Sequence, residues 1–263
     1  MHALNGRARG RAAAGVLTLM AAAALAAMPA LAADKAATYD GRSVRVGHGT
    51  VHTFVRTDDS GKVVQIGIVV SEKALDGLPK ATKKQDDFPY LLPMPTKGPR
   101  TVIDHAVLNW ESQGHPPPHV YDVPHFDFHF YMVGRADQMR VKFKSEADSG
   151  SPTQQPPANL LPAGYIMPPG TAVPQMGAHA VNPAGGEFHG QPFTATFIYG
   201  YYDQKLTFVE PMASLAYLKT KPDFAAPVAR PETYSKPGAY PSAYSVKYDA
   251  RHKAYVVALE TLK

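Results

Sequence analysis

The sequence predicts a mainly β protein, a β-rich α+β fold built as an antiparallel sandwich or barrel with long proline-rich loops and one or two short helices. Many short segments are rich in valine, isoleucine and aromatic residues and are bounded by glycine, proline or aspartate. One of them, residues 125–131, alternates strictly along its length. No segment carries a sustained helical period or a heptad repeat, so we expect strands to supply the core.

The strands of the N-terminal half are predicted from β-branched runs, of which Val63–Val70 is the strongest. The stretch over residues 80–100 is rich in lysine, aspartate and proline, which is typical of a loop. The predicted elements of this half are strands at 43–47, 49–56 and 63–70, a helical turn at 71–75, a loop over 80–100, and a segment at 101–109 that is open between strand and helix.

The C-terminal half combines two proline-rich stretches with two hairpins. Residues 145–175 contain seven prolines and no clear period. The apolar side chains among them indicate an ordered loop wrapped on the body, and a disordered linker is the alternative. The apolar anchors are Leu160, Leu161, Tyr165, Ile166 and Met167. The other predicted elements are a short helix or strand at 134–144, a hairpin of 193–201 with 206–210, helical turns at 212–219, a second proline-rich stretch at 222–241, and a final hairpin of 243–248 with 255–262.

The N-terminus has the composition of a secretory signal peptide. Three arginines precede an alanine-rich apolar run, and Ala30-Leu31-Ala32 supplies the small residues of a cleavage site. We therefore expect residues 1–32 to be removed, which leaves a single β-rich domain at 33–263 in the periplasm or outside the cell. A retained membrane anchor is the alternative, but the run is short and alanine-rich, whereas an anchor needs about 20 strongly apolar residues.

Charge and composition exclude several classes of function. The whole chain has a net charge of +5, and loss of the signal peptide removes three arginines and no acid, which leaves +2. No block of lysine and arginine is long enough for a nucleic-acid groove, and no later segment is apolar enough to span a bilayer. The chain has no cysteine, hence no disulfide or thiolate ligand. It lacks the P-loop, dinucleotide-binding, nucleophile-elbow and H-E-x-x-H patterns, so we expect no nucleotide cofactor.

The alternating segment His125–Tyr131 is the strongest functional signal in the chain. Successive side chains of a strand point to opposite faces, so its three phenylalanines share one face, which is predicted to join the core. The opposite face presents His125, Asp127, His129 and Tyr131. A solvent-facing strand needs no such row of metal-ligand and proton-transfer groups, so we predict a polar site around Asp127.

Strand geometry limits which of these residues can share one ion. Residues two apart on a strand are separated by about 6.6 Å, and residues four apart by about 13 Å. His125 and His129 therefore cannot both bind the same ion on a regular strand. Asp127 can pair with either histidine, and the sequence leaves both pairings open.

Further ligands must come from other segments. The prolines of His115-Pro-Pro-Pro-His119 hold their two histidines about 12 Å apart in an extended rod. His179 follows a turn-like Met-Gly-Ala segment. Glu210 is predicted to share one strand face with Leu206 and Phe208, both taken as core residues. A carboxylate there is costly to bury unless it is paired, protonated or metal-bound.

Each candidate also has a structural interpretation. His125 follows a proline at the start of the strand and can donate to a backbone carbonyl, and Asp127 can accept hydrogen bonds from its neighbouring imidazoles. His115 and His119 are better explained as surface or loop-packing residues than as ligands. Glu187 is only a weak candidate. The histidines without a predicted function are His48, His52, His105, His189 and His252.

Several motifs together resemble those of an uncharacterised bacterial family. They are Asn109-Trp110, Gly114–Pro117 with Tyr121, Pro124–Tyr131, Met176–His179, Phe197–Gly200 and Phe208–Met212. The family consists of exported proteins of unknown function and is typified by a hypothetical Thermus protein under sigma-factor and anti-sigma-factor control. The resemblance covers roughly residues 40–220 and leaves the proline-rich segment and hairpin at 221–263 outside it.

The resemblance implies a β-rich domain that assembles into a homo-oligomer, and it brings no established activity. The positions that carry over as a candidate site are His125, Asp127, His129, His179 and Glu210.

These observations predict an exported protein with a His/carboxylate metal site whose ligands come from those five candidates. The donor types favour zinc first and manganese or iron next. The simplest chemistry at such a site is attack of metal-activated water on a small carbonyl compound, with Asp127 or Glu210 as the catalytic base. The alternative is a non-enzymatic envelope or stress-response protein that oligomerises through aromatic surfaces.

Overall fold

Two antiparallel sheets of seven strands each form the body of the protein in the computed structural model, which describes residues 36–260 and 262–263. The predicted signal peptide, residues 1–32, lies outside the described residues. The mainly β prediction is confirmed, and the arrangement is that of a β-sandwich. Among the described residues, no helix is both long and apolar enough to cross a membrane.

The first sheet is built from the two ends of the described chain. Its strands, in spatial order, are β1 (Thr38–Asp40), β3 (Gly49–Thr57), β4 (Val63–Ser71), β14 (Ala254–Glu260), β13 (Ala243–Asp249) and β12 (Asp223–Pro227), with β2 (Val44–Val46) also paired to β3. The predicted C-terminal hairpin is confirmed as β13 and β14.

The second sheet is built from the middle of the chain. Its strands, in spatial order, are β5 (Asp87–Pro93), β6 (His105–Glu111), β7 (His125–Tyr131), β11 (Lys205–Ser214), β10 (Ala195–Tyr202), β9 (Gly177–Ala180) and β8 (Ala172–Val173). The helices are short: α1 (Arg135–Gln138), α2 (Leu215–Lys219) and 3-10 turns at Glu72–Leu75, Glu146–Gly150, Ala158–Leu160 and Gly186–His189.

The main core lies between the two sheets. The first sheet contributes β-branched side chains such as Val55 and Ile68, and β7 contributes Phe126, Phe128 and Phe130, as the alternation predicted. All of these side chains are buried. The inner face of β7 therefore joins the two sheets, and its outer face is free to carry polar residues.

Three strands lie where the sequence predicted loops: the short β8 within residues 145–175, and two strands that contain proline. β5 falls within residues 80–100, and β12 falls within the proline-rich stretch 222–241. Both are edge strands, each paired on one side only. Proline cannot donate a ladder hydrogen bond but is tolerated at a sheet edge, so the proline-rich composition concealed these strands.

Two other segments resolve questions that the sequence left open or placed differently. Residues 105–111 are a strand, and residues 135–138 are a short helix. The helical turns predicted from residue 212 begin only at Leu215, because β11 continues through Pro211 to Ser214. The Ser214 side chain then caps the helix by accepting the backbone N–H of Tyr217 at 3.2 Å.

The hairpin of β10 and β11 is confirmed, but a bulge changes the faces of β11. Phe208 lies opposite Gly200, whereas Leu206 lies opposite Tyr201, so Thr207 is an extra residue in the ladder. Leu206 consequently packs in the main core, and Phe208 packs on the outer face of the sheet. The prediction that Leu206 and Phe208 share one face with Glu210 is wrong for Leu206, because the bulge reverses the alternation.

The proline-rich stretch 145–175 is ordered, as predicted, and is held by side-chain to backbone hydrogen bonds. The Ser149 hydroxyl donates to the Pro168 carbonyl at 2.8 Å, and the Tyr165 hydroxyl donates to the Phe197 carbonyl at 2.8 Å. Among the predicted anchors, Met167 is buried. Ile166 was also predicted as an anchor, but its side chain is exposed.

Candidate functional site

The outer face of β7 is covered, although it carries the polar residues. His125, Asp127 and His129 are all buried. A second apolar cluster lies over this side of the sheet and consists of Tyr121, Val181, Phe193, Ile198 and Met212. The loop segments on both sides of β7 and β10 therefore enclose the polar row instead of leaving it in solvent.

The polar side chains on this face form two groups of three. The His115 group consists of His115, His125 and Asp127, and the His129 group consists of His129, His179 and Glu210. Within each group, one nitrogen or oxygen atom per residue lies within 4.8 Å of the other two. Both groups have two imidazoles and one carboxylate, which is a common ligand set for zinc.

All five predicted ligands lie in these groups, but they do not form one set. His125 and His129 fall in different groups, as the strand spacing predicted. Asp127 lies with His125, which decides between the two pairings that the sequence left open. The sixth residue, His115, was favoured as a packing residue, and the structure instead places its Nε2 3.5 Å from Asp127 Oδ2.

A tight loop brings His115 back to the sheet. The backbone N–H of His115 donates to the Tyr121 carbonyl at 3.1 Å, which closes the loop. Gly114 has a φ of 76°, and a Cβ at that position would overlap the Tyr121 carbonyl oxygen. The extended rod predicted for residues 115–119 is therefore wrong, because the chain turns back here and Gly114 allows the loop to close.

The His129 group is assembled from three strands. His129 comes from β7, His179 from the short strand β9, and Glu210 from β11. Gly200 pairs with both His179 and Phe208, and a Cβ at Gly200 would overlap the Phe208 ring. The absence of a side chain at Gly200 therefore lets Phe208 pack against His129 and His179, with ring centroids 4.8 and 5.3 Å apart.

Backbone carbonyls fix the tautomer of three of the four histidines. The Nδ1 atoms of His115, His125 and His179 lie 2.7, 2.7 and 2.8 Å from the carbonyl oxygens of Pro116, Val123 and Thr171. Because a carbonyl only accepts, each Nδ1 carries the proton, and the neutral ring keeps a lone pair on Nε2. This is how metal-binding histidines are commonly oriented. The predicted hydrogen bond from His125 to a backbone carbonyl is therefore present, and it leaves Nε2 of the same ring available as a ligand.

Several buried polar atoms on this face lack a hydrogen bond. His125 Nε2 lies 3.0 Å from Asp127 Oδ1, yet the geometry gives neither atom a hydrogen bond. Both ring nitrogens of His129 and Oε2 of Glu210 are also without one. Buried polar atoms are nearly always satisfied in proteins, so these atoms require a further partner.

The spacing of these atoms suits a metal ion. His129 Nε2 and His179 Nε2 lie 3.5 and 3.8 Å from Glu210 Oε2. Two atoms bound to the same zinc ion at about 2.0–2.2 Å are about 3–4 Å apart. The residues present therefore fit a divalent ion in each group.

Electrostatics favour the metal-binding protonation states of His129, His179 and Asp127. Burial, partly opposed by Asp127, lowers the pKa of His129 to about 3, and burial lowers the pKa of His179 to about 4. Burial alone would raise the pKa of Asp127, but His125 and His115 outweigh it and hold that pKa below its usual range. His129 and His179 are therefore neutral, and Asp127 is ionised, at neutral pH. For His115, burial lowers the pKa, but the neighbouring Asp127 carboxylate outweighs burial and raises that pKa above its usual value.

Glu210 differs from Asp127. Burial, followed by repulsion from Asp127 and Glu111, raises the pKa of Glu210 well above its usual value. Within the part of the chain that the structure describes, the ion pairs of Asp127 and Glu210 are all with histidine. A metal ion would supply the positive charge that lets Glu210 ionise in this buried position.

Two more acids extend the polar row beyond the His115 group. In the ladder, Asp87 pairs with Glu111, and Glu111 pairs with His125. Asn109 donates from Nδ2 to Asp87 Oδ1 at 2.7 Å, while its own Oδ1 is buried without a partner. The sequence did not identify these residues, because Asp87 lay in a predicted loop and residues 101–109 had no assigned strand register.

Glu111 provides a test of this electrostatic description. Burial, Asp127 and Asp87 raise the pKa of Glu111 from 4.5 to about 10, so the folded protein retains a proton that the unfolded chain loses above pH 4.5. We expect Glu111→Gln to raise the Tm of metal-free protein at pH 8 by about 2–8 °C, corresponding to ~1–2 kcal/mol. The gain should disappear as the pH falls to 4.5.

Thermal unfolding in the presence of a chelator at both pH values measures this effect. Glu232→Gln, at an exposed position, is the control and should change the Tm little at either pH. An equal Tm for Glu111→Gln and wild type at pH 8 would contradict the electrostatic description of this face.

The other polar candidates lie outside the two groups. His119 is exposed, as predicted. Glu187 accepts a hydrogen bond from the Tyr121 hydroxyl at 3.2 Å and belongs to neither group. His105 is buried, with Nδ1 2.8 Å from Asp104 Oδ1 and Nε2 2.7 Å from Gln138 Oε1.

The fold and the site define a β-sandwich protein with two His/carboxylate groups on a covered sheet face. Residues 58–110 match the family model described as TTHB210-like, hypothetical protein TTHB210. This match supports similarity to a family of unknown function, and it covers β4, β5 and most of β6 but none of the six residues of the two groups. No curated protein and no solved structure matches the chain.

Proposed function

We propose that this is an exported metal-binding protein whose two His/carboxylate groups hold divalent transition metal. The observation that carries this proposal is the convergence of Nε2 lone pairs on two buried carboxylates that form no ion pair with lysine or arginine within the described residues. Zinc is the preferred ion on ligand type, with manganese or iron next.

The chemistry we propose is hydrolysis of a small carbonyl compound at the His115 group. The His115 side chain is 33% exposed, whereas those of His125 and Asp127 are almost fully buried, so His115 marks the side from which water and substrate reach the group. A bound metal ion would lower the pKa of a water molecule there. Asp127 and Glu210, predicted as catalytic bases, both lie in ligand groups, and a carboxylate oxygen not bound to metal can still accept a proton.

Export and self-association are further parts of the proposal. The predicted signal peptide supports export, and the family resemblance supports a homo-oligomer. Light scattering at micromolar concentration would detect the oligomer, and a monomer under those conditions would contradict it.

The metal proposal is tested by elemental analysis of residues 33–263, expressed untagged and purified without chelator. We expect near-stoichiometric transition metal, and at least a tenfold loss in the double variant Asp127→Asn/Glu210→Gln, which removes one carboxylate ligand from each group.

The matched control is Asp122→Asn/Glu187→Gln, which changes two carboxylates that belong to neither group. Metal-free wild type with an intact fold would refute the proposal, as would full metal content in the first double variant.

A further inference from the structure

We propose that the two groups hold two ions at the same time, with different roles. The ion of the His129 group is enclosed and structural, and the ion of the His115 group is exchangeable and is the one that meets substrate. This inference rests on the proposed metal-binding function and assigns a separate role to each of the two groups.

The two ligand sets are separate. They share no residue, and each set is complete within 4.8 Å. On β7, His125 and His129 are four residues apart, a separation of about 13 Å on a strand, which one ion cannot bridge. The atoms therefore converge on two points and not on one.

The charge of the face also matches two ions. Four carboxyl groups lie on it, those of Asp87, Glu111, Asp127 and Glu210. Among the described residues, none of the four forms an ion pair with lysine or arginine. An ion in each group would give both Asp127 and Glu210 a counter-charge, whereas a single ion would leave one of these two buried carboxylates without one.

The His129 group is enclosed by rigid elements. All three ligands come from strands, and the His179 side chain is the most exposed of them at 16%. The ring of His129 packs against Phe208 and stacks on Tyr131, with centroids 4.8 and 5.8 Å apart. Release of an ion from this group requires the sheet or its cover to open, so exchange is slow.

The His115 group, in contrast, borders solvent at His115 and lies one layer of side chains from a surface groove. His115 itself lies on a loop and is partly exposed. A groove of about 580 Å³ lies behind His125, and three of its lining residues adjoin that histidine. The Val123 carbonyl accepts from His125 Nδ1, the Phe193 ring lies 5.4 Å from the imidazole, and Ser214 pairs with His125 in the ladder. Small molecules therefore come within one layer of side chains of this group.

The test counts metal ions per chain by mass spectrometry in mature wild type and in two variants. We expect two ions in wild type and one each in His115→Ala and His179→Ala, with His119→Ala, at an exposed position, retaining both. Glu210→Gln, which conserves size, serves as the second variant for the His129 group in case His179→Ala does not fold.

Exchange kinetics with the small chelator dipicolinate then assign the roles. Wild type should lose one ion at least tenfold faster than the other, and the fast phase should be absent from His115→Ala. The Tm should fall further in His179→Ala than in His115→Ala. A single ion that either variant abolishes would overturn the inference while leaving metal binding intact. Two ions with equal exchange rates would overturn the assigned roles, and no metal at all would refute the proposed function itself.

Discussion

Glu210→Gln is expected to abolish the metal-dependent stabilisation of the His129 group while leaving the metal-free protein folded. The pKa of Glu210 is raised well above its usual value, chiefly by burial, so the metal-free protein holds a neutral acid at this position. A glutamine has nearly the same size and is also neutral, so the free energy of unfolding without metal should change by less than about 1 kcal/mol.

With metal present, the same substitution should have a large effect. When the free metal concentration is a thousand times the Kd, binding stabilises the folded state by about 4 kcal/mol. This corresponds to an increase in Tm of about 8–16 °C for a domain of this size. Glu210→Gln should lose the part of this Tm increase that comes from metal bound to the His129 group. Because the carboxyl must lose its proton to bind metal, the stabilisation in wild type should weaken as the pH falls.

Thermal unfolding with added zinc and with chelator, in wild type and variant, separates the two contributions. Glu187→Gln is the matched control, since Glu187 is a partly buried carboxylate outside both groups. A variant that is strongly destabilised even in chelator would show that the Glu210 carboxylate has a structural role in the metal-free fold. A variant with an unchanged zinc response would remove Glu210 from the ligands.

The outer row of β7 shows what a sequence can and cannot predict about such a site. The alternation of residues 125–131 was sufficient to place His125, Asp127 and His129 on one face, because the two-residue period of a strand is set by local geometry. Their partners depend on strand register and on loop conformation. His179 and Glu210 were chosen because their side chains are good metal ligands. Their proximity to His129 depends on how β9, β10 and β11 pair in the sheet.

His115 could not be ranked from composition, because its position depends on how the loop closes on Tyr121. The prolines around it suggested an extended segment with two separate histidines. The bulge at Thr207 could not be predicted either, because it depends on how β11 pairs with β10. A single extra residue in one strand leaves no mark in a pattern of apolar residues, although it moves Leu206 into the main core.

The fold was more predictable than the site, with physically understandable exceptions. The central strands β3 and β4 were recognised from β-branched runs, and the terminal hairpin from its flanking turns. The two edge strands β5 and β12 were not, because prolines within them satisfy the rules for loops as well as those for sheet edges. β5 matters for the site, since it supplies Asp87.

The burial of the outer face links the fold to the proposed function. An antiparallel sheet commonly leaves one face in solvent, where charged side chains cost little. Here the loops cover that face with Tyr121, Phe193 and their neighbours. Below them, Asp127 and Glu210 form ion pairs only with imidazoles among residues 36–260 and 262–263. Burying such groups without a cation is costly, so a cover of this kind is consistent with bound metal as part of the folded structure.

Phe128→Ala should be among the most destabilising single substitutions in β7, and it should leave metal content unchanged. The Phe128 side chain is fully buried in the main core between the sheets, on the face opposite both groups. Removing a buried phenylalanine ring costs ~3–5 kcal/mol, because burial is lost and a cavity remains. We therefore expect the Tm to fall by about 6–20 °C.

Urea and thermal unfolding measure this loss, and Leu91→Ala provides the control, since Leu91 is 47% exposed on the edge strand β5. That control should change the free energy of unfolding by no more than about 0.5 kcal/mol. Metal analysis of folded Phe128→Ala separates the two faces of the strand. Retained metal with lowered stability would establish that one face of β7 packs in the core and that the opposite face supplies ligands to the two groups. A loss below about 1 kcal/mol would contradict the inward position of Phe128.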